Sequence, residues 1–224
     1  MTRSTIVLLF LAATFAACTK RAYVPVDVAS QTADHTVVAV LPYDVVYTGR
    51  QPAKLSEAQL AEKRRTEALA FQQDLIDRIL HRATGKRQLT VDLQSAEQTN
   101  ARLAKAGIAV EDLGEHTIAD LIAALDVDAV VVAEVTKHRQ LSTIESAAAD
   151  VLATVLNNPS SDQANRSLNR TYLVDLHVRA LNARGDVLYS DSDNFSLDYR
   201  RNVNVTIEQV NRRLIKRFPY IMKS

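Results

Sequence analysis

The sequence predicts an α/β fold, a single-domain sandwich with a mixed β-sheet flanked by helices. Three observations predict it. Two apolar runs, "TVVAVLPY" at 36–43 and "DVDAVVVAEV" at 126–135, read as strands buried on both faces. Between them, apolar residues recur at helical spacing. Beyond them Tyr172, Val174, Leu176, Val178 and Ala180 alternate with Asp175, His177 and Arg179, the period of a half-exposed antiparallel strand. Buried strands and a half-exposed hairpin in one chain make a mixed sheet.

Residues 1–17 have the layout of an export signal: a basic start ending at Arg3, an apolar stretch from Ile6 to Leu11, and small residues from Ala12 to Ala17. The apolar run stops short of the ~20 residues a membrane-spanning helix needs. Cys18, the only cysteine of 224 residues, follows at once, so the fold does without internal disulfides. Residues 18–35 contain Pro25 and no clear period, and read as a tether.

The strand at 36–43 stops at Pro42, and a loop is expected after it. Ser56 and Gln59 have capping-box spacing, opening a long helix with the stripe Leu60, Arg64, Ala68, Phe71, Leu75 and Ile79 that ends before Gly85. "LTVDL" at 89–93 is a short strand. Ser95 and Gln98 repeat the capping spacing for a helix closed by Gly107 as a left-handed cap. Thr117 caps a third helix through Ile118, Leu121, Ile122 and Leu125, which leads into the strand at 126–135.

A helical insert is expected near 141–169, with Ile144, Ala148, Val151, Leu152 and Val155 on one side of about 16 residues. Either that stripe packs on the sheet, or it meets a neighbouring subunit, a partner protein or a lipid surface. The turn at 182–186 sends the hairpin back. A last helix carries Ile207, Val210, Leu214 and Phe218 inward and ends at Pro219, closing a domain of 36–219. Its Arg212, Arg213, Lys216 and Arg217 are either a solvated face favoured by the helix dipole or an electrostatic contact with anionic lipid or an acidic partner.

The residues give no catalytic constellation. His35, His81, His116, His138 and His177 lack metal-ligand spacing, and neither G-x-S-x-G nor a glycine-rich phosphate loop occurs. Residues 191–194, "DSDN", lack the glycine and glutamate of a calcium loop and read as a solvated strand edge. Asp126 and Asp128 read as caps at the start of a strand, and Arg184-Gly185-Asp186 as a hairpin turn. With 27 basic and 26 acidic residues, no global field points to nucleic acid. The expectation is no metal, no small-molecule substrate and no cofactor.

Ala16 and Ala17 before Cys18 resemble the lipobox of bacterial lipoproteins, with Phe15 where leucine is commonest. That resemblance implies cleavage after Ala17 and acyl chains on Cys18, a covalent lipid holding the protein on a membrane. The next residue is Thr19, not aspartate, and no acidic run follows, which by the same resemblance implies the outer membrane and its periplasmic face. The alternative is a secreted protein cut after Ala16 with Cys18 an unmodified thiol.

"VVAVLPYDV", "LDVDAVVVAEV" and the hairpin with its terminal helix resemble, over roughly 36–218, the periplasmic lipoprotein domain of the curli secretion channel. Exopolysaccharide-export lipoproteins and outer-membrane activators of peptidoglycan synthases share that domain. "LAFQQDLIDRIL", "LTVDLQSAEQTNARLAKAGI" and "KRFPY" are similar to lipoproteins of Bacteroidetes-type bacteria. The resemblance implies a non-enzymatic binding or assembly module in secretion or envelope biogenesis, with a protein partner or ring-like self-association. The alternative it implies is a regulator that binds a peptidoglycan synthase. The insert shows no 9–11-residue alternating segments of the kind that span a membrane as a barrel, so a pore is not expected.

Overall fold

The computed structural model describes residues 22–50, 55–141, 145, 171–197 and 202–223. Cys18, the cleavage position Ala17, and the insert residues Ile144, Ala148, Val151, Leu152 and Val155 lie outside the described residues. The fold is mixed α/β, a single domain built on a six-stranded sheet.

A four-residue helix, α1 (Val28–Gln31), precedes β1 (Val37–Val40) and β2 (Asp44–Gly49). The long α2 (Glu57–Arg82) leads to β3 (Arg87–Leu89) and β4 (Asp92–Leu93), then α3 (Ala96–Lys105) and α4 (Ile118–Leu125). The strands β5 (Ala129–Arg139), β6 (Tyr172–Asn182) and β7 (Val187–Leu197) follow, then α5 (Val203–Leu214) and β8 (Ile221–Lys223). The order across the sheet is β4-β1-β5-β6-β7, with β2 also on β5; β4, β1, β5 and β2 are parallel, and β5, β6 and β7 antiparallel.

Where the sequence suggested a loop after Pro42, the chain returns to the sheet as β2. Val40 lies opposite Val131 and Asp44 opposite Glu134, so three residues of one strand face two of the other. Proline has no N–H for the ladder, and a bulge is where a sheet tolerates it. The β-branched Val45 and Val46 then resume pairing. Buried Gln72 of α2 donates to the Val40 carbonyl at 2.8 Å, satisfying a group next to the interruption.

The "LTVDL" segment divides: β3 pairs with β8 in a separate two-stranded sheet, and β4 joins β1. The caps behave as the sequence predicts. Ser56 and Thr117 form reciprocal capping boxes with Gln59 and Asp120, and the Ser95 side chain accepts from the Gln98 N–H. The inward stripe of α2 begins only at Glu67; Arg64 is exposed.

Helices α2 and α5 cover one sheet face, where Phe71, Leu75 and Ile79 meet Val38, Val131, Val178 and Ile207. Helices α3 and α4 cover the other face beside Ala39, Leu41 and Val130. Further along β5 and β6 that second face turns polar, with Glu134, Thr136 and His138 beside Asp175, His177 and Arg179.

Candidate functional site

The site is assembled where the two ends of the described chain meet. α5 buries Ile207, Val210 and Leu214 at spacings of three and four, which turns Arg212 and Arg213 outward. One 3₁₀ turn, Ile215–Arg217, continues the outward arc with exposed Lys216 and Arg217. Phe218 then pins the turn, edge-on to Tyr189 at 6.0 Å and tilted against Tyr220 at 5.5 Å. Arg82, at the end of α2, donates to the Lys216 carbonyl at 2.8 Å. Of the four cations singled out from the sequence, Arg213, Lys216 and Arg217 line one cleft, and Arg212 is exposed on the same helix.

Residues 22–35, expected as a tether, are in large part seated on the domain. Tyr23 bridges Ser190 on the outer edge of β7, and Ala22, Val24 and Val28 pack against the core. His35 Nδ1 and the Tyr220 hydroxyl share a hydrogen bond of 2.7 Å, with their rings stacked at 5.9 Å. Ala22 lines a cleft of about 290 Å³ together with Asp191, Asp193, Arg213, Lys216 and Arg217. The described residues thus begin, at Ala22, beside the basic cluster.

Asp191 and Asp193 do share one side of β7, as strand alternation requires. They meet the cluster instead of water alone. Arg213 pairs with Asp193 at 2.8 Å. Burial pushes the Asp191 carboxyl above its usual range and the Asp193 charge adds to it, against relief from the Ser192 N–H, the Tyr189 hydroxyl and Arg217. Two half-covered acids therefore share the cleft with three cations. Tyr23, 58% exposed, pairs with Ser190 and so lies on the other sheet face, beside Arg179 and Asp186. Sequence reasoning missed this meeting because no local pattern encodes contact between residue 22 and residue 217.

A second polar cluster lies inside the fold. Lys137 of β5 donates to Glu67 Oε2 at 2.6 Å and to Asn204 Oδ1 at 2.8 Å, and Tyr47 and Asn204 also donate to Glu67. Burial alone would raise the Glu67 carboxyl, but Lys137 and these hydrogen bonds outweigh it and hold it below its ordinary value. The only sequence signal was a lysine at an inward position of a strand.

The remaining candidates have structural roles. Asp128 accepts from the Thr36 and Val37 N–H groups at 2.6 and 2.9 Å, and Asp126 closes α4 at φ 52°. Asn182 and Asp186 bind each other across the Arg184-Gly185 turn. Among the described residues no group of three or more His, Cys, Asp or Glu could hold a metal, and no helix is long and apolar enough to cross a membrane.

Fold and surface together define an α/β sandwich with a basic cluster beside its first described residue. No family model and no curated protein matches the chain. Among solved structures it is similar to the PelC dodecamer from Paraburkholderia phytofirmans, at 8% identity over 81% of this chain and 86% of that one, TM-score 0.38. It is similar to lipoprotein GNA1162 from Neisseria meningitidis, at 11% identity over 80% and 95%, TM-score 0.41. The LpoB C-terminal domain from Salmonella enterica matches at 14% identity over 76% and 93%, TM-score 0.33.

Proposed function

We propose that the protein is a non-enzymatic outer-membrane lipoprotein, anchored through Cys18 and facing the periplasm. Its α/β domain serves as a binding or assembly module in secretion or cell-envelope biogenesis. The observation that carries this reading is the position of Ala22, seated on the domain only four residues after the lone cysteine. Four residue steps span at most about 14 Å, so acyl chains on Cys18 would hold the domain against the membrane surface. Confinement of that kind raises the effective concentration of the domain for a partner or for further copies of itself.

The same short link speaks against a regulator that must reach across the periplasm to a peptidoglycan synthase. Mass spectrometry of the native mature N-terminus tests the reading. Acyl chains on Cys18, and release of a Cys18→Ser variant from the membrane fraction, are the expected results. A free thiol on protein that stays soluble overturns it. Light scattering of the detergent-extracted protein then separates a self-assembling module, seen as a discrete oligomer, from one that works through a different partner.

A further inference from the structure

We propose that the space between the start of α2 and the start of α5 is a binding pocket for a small organic anion, with a phosphate or carboxylate head on a body about one ring in size. Lys63 contacts the head, Lys137 behind it adds its charge, and Leu55, Leu60 and Val203 face the body. The proposal stands on the folded domain and does not depend on the lipid anchor.

The pocket lies on the sheet face that α2 and α5 cover. Tyr47, Lys137 and Val174 form one row across the sheet there, and Arg139 and Tyr172 pair in the next. A cavity of about 320 Å³ is floored by Tyr47, Lys137 and Tyr172, with Lys63 and Glu67 of α2 on one side and Asn204 of α5 on the other. That is the small end of the roughly 300–1,000 Å³ typical of ligand sites, which limits the size of the guest.

Charge argues for an anion. The lining residues include four cations, Arg50, Lys63, Lys137 and Arg139, and one carboxylate, Glu67. That carboxylate is already engaged, accepting from Lys137 and Tyr47 at Oε2 and from Asn204 at Oε1. At the mouth Arg50 is paired with Glu145, so the argument rests on the two lysines. The Lys63 ammonium lies 5.1 Å from the centre of the Tyr47 ring and the Lys137 ammonium 5.5 Å from it. Burial lowers the Lys137 ammonium below its ordinary value; Glu67 opposes this, and the charge of Lys63 adds to it. An oxyanion beside the two ammonium groups offsets their repulsion, and a cleft lined mainly by one sign of charge focuses its field on such a guest.

The walls argue for an organic body over a bare ion. Leu55, Leu60 and Val203 line the same cavity, and the Tyr172 ring stands beside them. An aryl or alkyl body takes this apolar surface out of water, which inorganic phosphate does not.

The test is isothermal titration calorimetry on the full-length protein in non-ionic detergent, with phenyl phosphate, benzoate, inorganic phosphate and phenol as probes. The detergent is present whether or not the chain carries lipid, so failure of the anchor does not touch the result. Phenyl phosphate or benzoate should saturate one site per chain, and the tighter of the two assigns the head as phosphate or carboxylate. That compound should bind about tenfold more tightly than phenol, which lacks the head, and than inorganic phosphate, which lacks the ring. Lys63 is exposed, so Lys63→Gln leaves the buried Lys137–Glu67 pair in place, and it should weaken binding about tenfold. Leu55→Glu, which sets a carboxylate at the mouth, should weaken it as well. Lys105→Gln, at an exposed position of α3 on the other sheet face, should leave it unchanged.

No binding of either ring compound up to about 10 mM, beyond the millimolar range of weak specific sites, overturns the proposal. Phenol bound as tightly overturns the role of charge, and inorganic phosphate bound as tightly overturns the organic guest. Equal losses in Lys63→Gln and Lys105→Gln reveal a general charge effect and overturn the site. Binding indifferent to both Lys63→Gln and Leu55→Glu places the anion elsewhere and overturns it too.

Discussion

The backbones of Tyr23 and Ser190 are joined in both directions, the Tyr23 N–H to the Ser190 carbonyl at 2.7 Å and the Ser190 N–H to the Tyr23 carbonyl at 2.9 Å. Part of the N-terminal segment therefore belongs to the sheet edge. Two backbone bonds contribute about 1 kcal/mol each, and half-burial of Val24 and Val28 roughly 1 kcal/mol each. Deleting residues 22–35 should lower unfolding stability by about 4 kcal/mol in urea, whereas deleting 19–21 should leave it unchanged. Equal stability of the two deletions would make 22–35 a tether after all.

Lys137 and Glu67 form an ion pair with both side chains more than nine-tenths buried. Removing one partner leaves the other charged and uncompensated, which costs about 3–5 kcal/mol. Lys137→Met alone should therefore be severely destabilising. Adding Glu67→Leu should recover most of the loss, because an apolar pair of similar volume needs no desolvation of charge. Thermal or urea unfolding of the two variants separates these outcomes, and additive losses in the double variant would show that packing, not charge, dominates.

Much of the fold is legible in the sequence because it is local. The caps at Ser56, Ser95 and Thr117 bind backbone groups three residues away, and the Asn182–Asp186 turn closes on itself. What was not legible depends on distant partners. β3 and β8 are three residues each and exist only through one another, and β2 needed the partner edge of β5 to continue past Pro42. The basic residues of α5 could be identified as a face, but their meeting with Ala22 joins opposite ends of the chain.

Gly49 ends β2 at φ 78°, and a Cβ there would lie 2.4 Å from the Arg139 carbonyl oxygen. That carbonyl accepts the Arg50 N–H at 3.0 Å, so it is not free to retreat. Gly49→Ala should cost about 1–3 kcal/mol for the left-handed backbone, with the clash added. Gly107→Ala shares the positive φ but has open space around its Cβ, and should cost less. Unfolding midpoints of the two variants check the order.

Asp128 ties the start of β5 to the start of β1 through bonds from the Thr36 N–H, the Thr36 hydroxyl and the Val37 N–H at 2.6, 2.9 and 2.9 Å. Burial alone would raise its carboxyl. The bonds from Val37 and Thr36 outweigh that, His35 adds to them, and the native pKa falls below the usual aspartate value. A depressed carboxylate contributes stability that is fully present above the unfolded value of about 3.9 and is lost as pH falls through the native one. The group sits at the solvent edge, so its bonds contribute near the low end for a charged acceptor, about 1–2 kcal/mol. Asp128→Ala should therefore be destabilised by that amount near neutral pH, and the gap between it and the parent protein should narrow as the pH is taken below about 3. Urea unfolding at the two pH values reads the gap directly, and one that stays constant would mean the clamp works through shape and not through charge.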